Sequence, residues 1–395
     1  MALRKIEGLR VNPEPSTRAQ AEGQAPAFRP ESRRVDIQLD FPYILPTRKR
    51  VFIIIVPMNS ILDWSINFIA GLQTSAPWLV APSQFFSFLV TQEFSLLILP
   101  FLYWCVDVRL GLRVGIILVV SNNLNTFFKF VFHQPRPYWV SDKVRVIHAE
   151  ASYGLPSAHA QNAMTVWGIM AASVKGWARW LMAAVIFLIG FSRIVLAVHF
   201  PTDVLAGWLI GAAILWAFLK WEAPLTAWFN RFTLVQKIGL AFAASMVLLI
   251  VSLAGLVFVP SADPPQWEIT AAHTISLAAG GSAMNPRVTA GMVRDGGMFF
   301  GLAAGALLIF QRGGFHARGI WWKRALRFAL GVIGVAILWV GLRMVFPRDE
   351  SLVSQALRYL RYALTGFWIS YGAPCLFIKL GLQNTTHVLD QAASR

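Results

Sequence analysis

The chain has 395 residues, of which 56% are hydrophobic and only 14% are charged, and its formal net charge is +16. A soluble protein carries about 25% charged residues, so this composition excludes an array of water-facing domains, a disordered chain and a disulfide scaffold. The two cysteines, Cys105 and Cys375, lie in apolar stretches without metal or redox spacing.

The first 50 residues are polar and rich in arginine, and they are predicted to form a cytosolic tail. Apolar runs of membrane-spanning length follow, which indicates a polytopic helical membrane protein. We expect an all-α bundle with a six-span core at 51–220 and about four further spans, of unknown role, within 221–395. The predicted segments are 51–73, 94–106, 114–133, 158–174, 178–198, 203–219, 238–259, 297–311, 324–346 and 363–381.

The loops between these segments alternate in charge. Segments 74–91 and 259–286 contain no lysine or arginine, whereas 312–327 contains five basic residues and no acidic one. Cytosolic loops collect lysine and arginine, so the pattern places the N-terminus in the cytosol and explains most of the net charge without nucleic-acid binding. Segment 134–156 should face outward, yet it is basic, which suggests an anionic ligand on the outer face.

Three polar clusters interrupt the apolar pattern, and the first begins in the third segment. Asn122, Asn125 and Lys129 are spaced by three and four residues, so they share one stripe of a helix, and Arg136 follows. Ionisable groups inside a span normally face a cavity or a partner. Lys129 taken alone could equally reach from the helix end to the membrane interface.

The second cluster lies just before the fourth segment. Pro156 suits a first helical turn, and the backbone N–H groups of Ser157, Ala158 and His159 would then be free at the positive end of the helix dipole. Such an arrangement binds anions. An ordinary helix start with an interfacial histidine is the alternative reading.

The third cluster is formed by Arg193, His199 and Asp203. An arginine at the centre of a span costs about 2.5–3.5 kcal/mol, so Arg193 requires a partner or a wet cavity. On an ideal helix Arg193 and His199 would lie about 120° apart and flank a ligand. Asp203 can hold a ring nitrogen of His199, as the third member of a catalytic triad holds its base. A structural pair of Arg193 and Asp203 is the alternative.

Taken together, the clusters bring cations and histidines to the ends of consecutive spans. Two arginines and a lysine suit a phosphate dianion, and two histidines can serve as nucleophile and acid. Zinc is a competing use of histidine and aspartate, but three adjacent cations would repel it. We therefore expect neither a metal nor another cofactor.

In this order the residues resemble the signature motifs of the type 2 phosphatidic acid phosphatase superfamily. One departure is Ala158, where the family usually has a glycine whose N–H contacts phosphate, and alanine keeps that N–H. The motifs read Lys129-x6-Arg136-Pro137, Pro156-Ser157-Ala158-His159 and Ser192-Arg193-x5-His199-x3-Asp203.

The resemblance implies a metal-independent membrane phosphatase that acts through a phosphohistidine. His199 would attack phosphorus, Asp203 would orient it and His159 would protonate the leaving oxygen. The groups that the resemblance implies for holding the phosphate are Lys129, Arg136, Ser157, Arg193 and the N–H of Ala158.

The expected substrate is a lipid phosphate monoester or diphosphate that enters from the outer leaflet of the cell membrane, with membrane lipids around the site. One alternative is a soluble phosphate such as a sugar phosphate, since 136–139 and 199–201 are similar to segments of glucose-6-phosphatases. Another is a transporter or channel lined by Lys129, Arg193 and Asp203, which predicts charges across the full membrane depth. The lipid expectation depends on aromatic residues close in sequence to the motifs: Phe127, Phe128, Phe132, Tyr138, Trp139, Tyr153 and Phe200.

Overall fold

The computed structural model describes residues 58–276, 281, 283–347 and 349–385. The predicted cytosolic tail and the beginning of the first predicted span lie outside these residues. The described secondary structure is helical apart from one isolated backbone bridge between Ala149 and Gly281. The helices are α1 (Met58–Ser75), α2 (Val80–Phe88), α3 (Gln92–Phe101), α4 (Val108–Phe132), α5 (Pro137–Val140), α6 (Ala158–Ser173), α7 (Trp177–Val195), α8 (Pro201–Phe229), α9 (Leu234–Ala254), α10 (Pro265–Ser276), α11 (Ala290–Gln311), α12 (Trp321–Ala336), α13 (Leu342–Val345), α14 (Leu352–Phe367) and α15 (Ala373–Lys379).

Membrane-spanning character is confirmed for most of the predicted segments. Over the described ranges, six helices are long and apolar enough to cross a membrane, and α2 with α3 makes a seventh if the pair, bent by 51°, counts as one span. The protein is therefore an all-α, multi-pass membrane protein, as the sequence predicts. The six are Val108–Val140 (α4 and α5), Trp177–Val195 (α7), Pro201–Phe229 (α8), Leu234–Phe258 (α9 and the short helical turn after it), Ala290–Gln311 (α11) and Trp321–Val345 (α12 to α13).

The helix limits differ from the predicted ones in places. The predicted segment 158–174 is helical as α6, but α6 has only 16 residues. In contrast, α8 continues through the predicted core boundary at residue 220 to Phe229. The extra turns of α8 carry Glu222, which pairs with Arg113 at 2.9 Å and so adds a polar contact at the end of the span.

Side chains at the N-termini set where several helices begin. Asp107 Oδ1 accepts a hydrogen bond from Leu110 N at 2.8 Å before α4. Thr233 and Gln236 exchange hydrogen bonds in a capping box before α9. These side chains satisfy backbone N–H groups that have no carbonyl partner in the first turn.

The described residues from Leu62 onward form one compact unit. In it α11 lies closely along α14 and also contacts α4 and α9, so the C-terminal helices pack against the predicted core. Glycine makes the first contact possible: a Cβ atom at Gly301 would lie 2.0 Å from the Ala363 oxygen, and one at Gly297 would lie 2.3 Å from the Tyr359 oxygen.

Candidate active site

Lys129 lies on the last turn of α4 and is buried, with 6% of its surface exposed. Its ammonium group donates hydrogen bonds to the carbonyl oxygens of Tyr153 and Gly154. A buried ammonium group held by two backbone carbonyls does not extend to the membrane interface, so that alternative for Lys129 is wrong. The contacts place its charge directly beneath the loop that leads into α6.

Arg136 follows α4 and is completely buried. Its Nε donates to the Ser152 oxygen at 2.6 Å, and its Nη1 donates to the Val198 oxygen at 2.8 Å. Nη1 also lies 3.2 Å from Nε2 of His199. The guanidinium thus ties the 152–154 loop to the segment that carries the predicted nucleophile, and it places a positive charge beside that nitrogen.

The start of α6 differs from the predicted one. Ser157 is the N-cap and Pro156 precedes it, so the proline lies outside the first helical turn. The Ser157 N–H is not free, because it donates to the backbone carbonyl oxygen of Asp203 at 3.0 Å. The N–H groups of Ala158 and His159 occupy the first helical positions, where no carbonyl of the helix can reach them. The predicted anion site therefore has two helix-end donors rather than three.

His199 and Asp203 are brought together as predicted, but not by a continuous helix. Helix α7 ends at Val195, Ala197 adopts a left-handed conformation with φ of 57°, and the His199 N–H donates back to the Arg193 oxygen at 3.3 Å. The 120° estimate from an ideal helix is therefore wrong. His199 Nδ1 lies 3.2 Å from Oδ2 of Asp203, which also accepts from the Phe200 N–H at 3.0 Å. Asp203 can thereby hold the Nδ1–H, so that Nε2 carries the lone pair and faces Nη1 of Arg136 as an acceptor.

Glu150 is the site residue that the sequence analysis missed. Its Oε2 lies 2.8 Å from Nη2 of Arg136, and its Oε1 pairs with Nη2 of Arg193. Arg193 also donates to the Ser87 hydroxyl from Nη1. The carboxylate of Glu150 therefore bridges the two arginines, and among the described residues the alternative Arg193–Asp203 pair does not form. A loop acid at this position carries no periodic signal, although it stands out within the otherwise basic segment 134–156.

Burial and neighbouring charges set the ionisation of His199 and Glu150, which both lie between spans. Burial lowers the pKa of His199 well below its usual range, and the charges of Arg136 and Lys129 lower it further, so the imidazole is neutral near pH 7. Burial alone would raise the pKa of Glu150, but Arg193 and Arg136 outweigh that effect and hold the pKa well below its usual range. A neutral base thus stands beside an ionised carboxylate that neutralises part of the cation cluster.

A cavity of about 800 Å³ opens in front of this cluster. Glu150, Ala158, His159 and Arg193 line this cavity, whereas Lys129, Arg136 and His199 are buried and do not line it. The break between α2 and α3 forms part of the wall at Phe88, Val90 and Thr91. An anion that entered the cavity would meet Arg193 and His159 first, and it would have to displace the Glu150 carboxylate to reach the deeper cations.

Polar side chains of α4 and α6 also line this cavity. Asn162 donates to Asn122 at 2.7 Å and accepts from the Ser121 hydroxyl at 2.7 Å, while Asn125 donates to Gln161 at 2.9 Å. The predicted stripe is thus partly confirmed, since Asn122 lines the cavity whereas Asn125 is buried between the helices. The network fixes α6 against α4 and leaves amide groups facing the cavity.

None of the seven aromatic residues on which the lipid expectation depends lines the cavity. Tyr138, Trp139, Tyr153 and Phe200 are buried in the core, each with at most 2% of its surface exposed, and they do not line the cavity. The ring of Trp139 contacts those of Tyr138 and Tyr153 and also that of Trp267 on α10. The cavity wall is instead mixed: apolar groups come from α3, α4 and α11, and polar groups include Ser87, Thr91, Gln92, Ser95, Asn122, His148, Asn162, Arg294, Asp295 and Tyr362.

The basic segment 134–156 contributes less charge to the site than the sequence suggests. Only Arg136 joins the cluster, whereas Lys143 and Arg145 are exposed and do not line the cavity. The segment is held in place from the C-terminal half, because Asn285 N donates to the Ala151 oxygen at 3.1 Å and Gly281 bridges to Ala149. Residues outside the predicted core therefore position the loop that carries Glu150.

Comparison with protein families matches two parts of the chain. The profile of the "PAP2 superfamily" matches residues 110–227, which contain all three motifs. The profile "PAP2 superfamily phosphatase, transmembrane extension" matches residues 293–385. The second match covers most of the C-terminal helices for which the sequence analysis had no chemical account.

Curated relatives fall into two groups. Glucose-6-phosphatase 3 of Bos taurus is 27% identical over 355 residues, which cover 82% of this chain and 94% of the relative. Undecaprenyl-diphosphatase of Sulfolobus acidocaldarius is 30% identical over 108 residues, 27% of this chain and 52% of the relative. Sphingosine-1-phosphate phosphatase 2 of Mus musculus is 32% identical over 141 residues, 33% of this chain and 39% of the relative. No solved structure matches.

Proposed function

The chain belongs to the PAP2 superfamily of membrane phosphatases, and we propose that it hydrolyses a phosphate ester through a phosphohistidine on His199. The observation that carries the proposal is the contact of His199 Nδ1 with Asp203 at 3.2 Å while Nε2 lies among buried cations. Asp203 holds the Nδ1–H, which leaves the Nε2 lone pair to attack phosphorus. The phosphorus–oxygen bond to the leaving group breaks as the new bond to Nε2 forms.

His159 lines the cavity, and in its protonated form, reached when the phosphate dianion binds beside it, it gives its proton to the leaving oxygen. Water then attacks the phosphohistidine, His159 takes a proton from that water, and the bond between phosphorus and Nε2 breaks to release phosphate. The phosphate oxygens would be held by Lys129, Arg136, Ser157, Arg193 and the Ala158 N–H. These groups stabilise the charge on the transferring phosphoryl group, so the proposed reaction requires no metal ion.

Glu150 has to leave the arginines when the phosphate arrives, because both anions would occupy the same side of the two guanidinium groups. We expect vanadate to inhibit the wild-type protein in the presence of EDTA, and Glu150→Gln to lower its inhibition constant at least about threefold, since a bound anion no longer competes. The measurement is a vanadate titration of phosphatase activity with Glu222→Gln as the matched control, because Glu222 pairs with Arg113 away from the site. Weaker vanadate inhibition in Glu150→Gln would contradict the displacement.

The substrate that the cavity supports best is a small phosphate ester with hydroxyl groups, such as a sugar phosphate. Amide and hydroxyl groups close to the phosphate end, among them Asn122, Asn162 and Ser87, can pair with substrate hydroxyls. Glucose-6-phosphatase 3 of Bos taurus is a relative that matches over both halves of this chain. A lipid phosphate is the second candidate, supported by the apolar side of the cavity and by the undecaprenyl-diphosphatase and sphingosine-1-phosphate phosphatase relatives.

We expect kcat/KM for glucose 6-phosphate to exceed that for phosphatidic acid or an isoprenyl diphosphate at least tenfold, a difference of about 1.4 kcal/mol. All these substrates share the phosphate clamp, so the difference must come from the polar wall. The measurement is a side-by-side assay in mixed micelles, with a sphingoid-base phosphate included. A lipid phosphate as the best substrate would contradict this choice and select the second candidate.

We place the site at the outer face of the cell membrane with the N-terminus in the cytosol, on the basis of loop charge. In a cysteine-free background, single cysteines at Lys143 and Arg318, both exposed, should react with a membrane-impermeant reagent from opposite sides. Labelling of both from the same side would overturn this topology. A transporter is less well supported than an enzyme, because the buried charges of the motifs gather in one cluster.

A further inference from the structure

A second cavity, of about 380 Å³, lies in the C-terminal half where α11 begins, α13 ends and the middle of α14 passes. We call it the arginine pocket. It adjoins the catalytic cavity: Gln92, Arg294 and Tyr362 line both. Arg294 Nη1 donates to Gln92 Oε1 at 2.7 Å, so one hydrogen-bonded pair forms the boundary between the two. The charged residues and rings that line the pocket are Glu93, Arg294, Arg343, Arg358, Arg361, Trp339, Phe346 and Tyr362.

The arginines of this pocket exceed the acids available to them. Arg294 pairs with Asp295, but over the described residues Arg343, Arg358 and Arg361 form no salt bridge. Glu93 is the one acid in the described wall. Three guanidinium groups around one cavity repel each other unless an anion lies between them.

The individual side chains also point to an absent acceptor. The Nε of Arg361 is buried and has no hydrogen-bond partner in the described structure, while its guanidinium lies 4.9 Å from the Tyr362 ring centre. Within the described ranges, Arg358 donates a side-chain hydrogen bond to a neutral group, Gln355, at 2.8 Å, while Asp349 interacts with Arg358 through charge alone. The nearby carboxylate of Asp349 is occupied by Ser351 and Ser354. A buried N–H donor without an acceptor is costly, and an oxyanion supplies several acceptor atoms at once.

The position of the arginines in the chain supports the same conclusion. They cluster at the end of the bundle that carries the candidate active site, which is the outer end in the proposed topology. The tendency of lysine and arginine to collect in cytosolic loops therefore does not explain these arginines. A ligand that needs several arginines does account for them, because guanidinium groups bind phosphate oxygens bidentately.

We infer that the arginine pocket is a second anion site, which binds a phosphate group at the entrance to the catalytic cavity. Its role in turnover rests on the proposed function: it concentrates anionic substrate beside the cavity and passes the phosphate group across the Arg294–Gln92 boundary toward Arg193. Clustered positive charge at a cavity mouth raises the association rate of an anion, and salt weakens this effect. The pocket also gives the transmembrane extension a role in catalysis.

Binding tests the site without reference to activity. Radiolabelled orthophosphate should bind to detergent-purified wild-type protein at two sites at low ionic strength, and to the double variant Arg343→Gln/Arg358→Gln at one site. Arg145→Gln, an exposed arginine that lines neither cavity, is the matched control and should keep both sites. Equal stoichiometry and affinity in the double variant and the wild type would overturn the inference, whether or not the protein proves to be a phosphatase.

Kinetics and lipid composition identify the source of the bound phosphate. If the pocket captures substrate, the double variant should raise KM at least fivefold with kcat unchanged, and kcat/KM should lose most of its salt dependence. An anionic lipid headgroup would instead make orthophosphate binding fall in phosphatidylglycerol nanodiscs relative to phosphatidylcholine nanodiscs, in the wild type only. Either result supports a phosphate site in the pocket. An unchanged KM together with orthophosphate binding that ignores both lipid and variant would contradict it.

Discussion

His199→Ala should lower kcat/KM for any phosphate ester by at least about three orders of magnitude, because it removes the atom that forms the covalent intermediate. The imidazole is buried, but its partners keep other contacts in the alanine variant: Asp203 Oδ2 accepts from the Phe200 N–H, and Arg136 Nη1 donates to the Val198 oxygen. The protein should therefore fold normally. The measurement is phosphate release from purified protein, with thermal unfolding recorded for each variant.

His273→Ala is the matched control, since His273 is exposed on α10 and lines neither cavity. Asp203→Asn should lower the activity strongly without abolishing it, because Asp203 orients the imidazole but forms no bond to phosphorus, and an amide can hold the wrong tautomer of the ring. Full activity in His199→Ala, with normal folding, would exclude His199 as the nucleophile.

Arg193→Gln should lower kcat by about 10²–10³-fold, the loss expected when one preorganised donor is removed from the developing charge of a transition state. The effect should be large because Arg193 is the cation of the cluster that lines the cavity directly, whereas Arg136 and Lys129 are buried and do not line it. Arg193→Lys should recover only part of the rate, since an ammonium group cannot bind bidentately.

Arg231→Gln, at an exposed arginine just after the C-terminal end of α8, controls for loss of charge alone. The titration of the variants with vanadate separates binding from chemistry: Arg193→Gln should weaken vanadate more than it weakens substrate, because vanadate resembles the transition state. Equal losses for vanadate and substrate would show that Arg193 contributes only to ground-state binding.

The sequence predicts the parts of this molecule that repeat along a helix or follow a motif. Apolar runs predict the spans because a helix that crosses the bilayer needs about 20 consecutive apolar residues, whatever elements it packs against. The three motifs predict Lys129, Arg136, Arg193, His199 and Asp203 as one cluster, and the structure brings them together. Their assigned roles stay predictions until the variants are assayed.

What the sequence does not predict depends on how loops fold. Glu150 reaches both arginines only because its segment turns back over the end of the bundle and is held by Gly281 and Asn285 from the C-terminal half. The left-handed residue Ala197 breaks the helical register that would relate Arg193 to His199. Proximity along the chain also misleads: Tyr138 and Trp139 follow the first motif directly, yet both point into the core.

The most direct test of the account is to find the phosphate on the enzyme during turnover. Wild-type protein is mixed with ³²P-labelled substrate, denatured with alkali within milliseconds and mapped by peptide mass spectrometry. We predict a base-stable, acid-labile phosphate on the peptide that contains His199, present in the wild type and absent from His199→Ala. Label on another residue, or turnover without any labelled protein when the quench is faster than product release, would contradict the phosphohistidine mechanism.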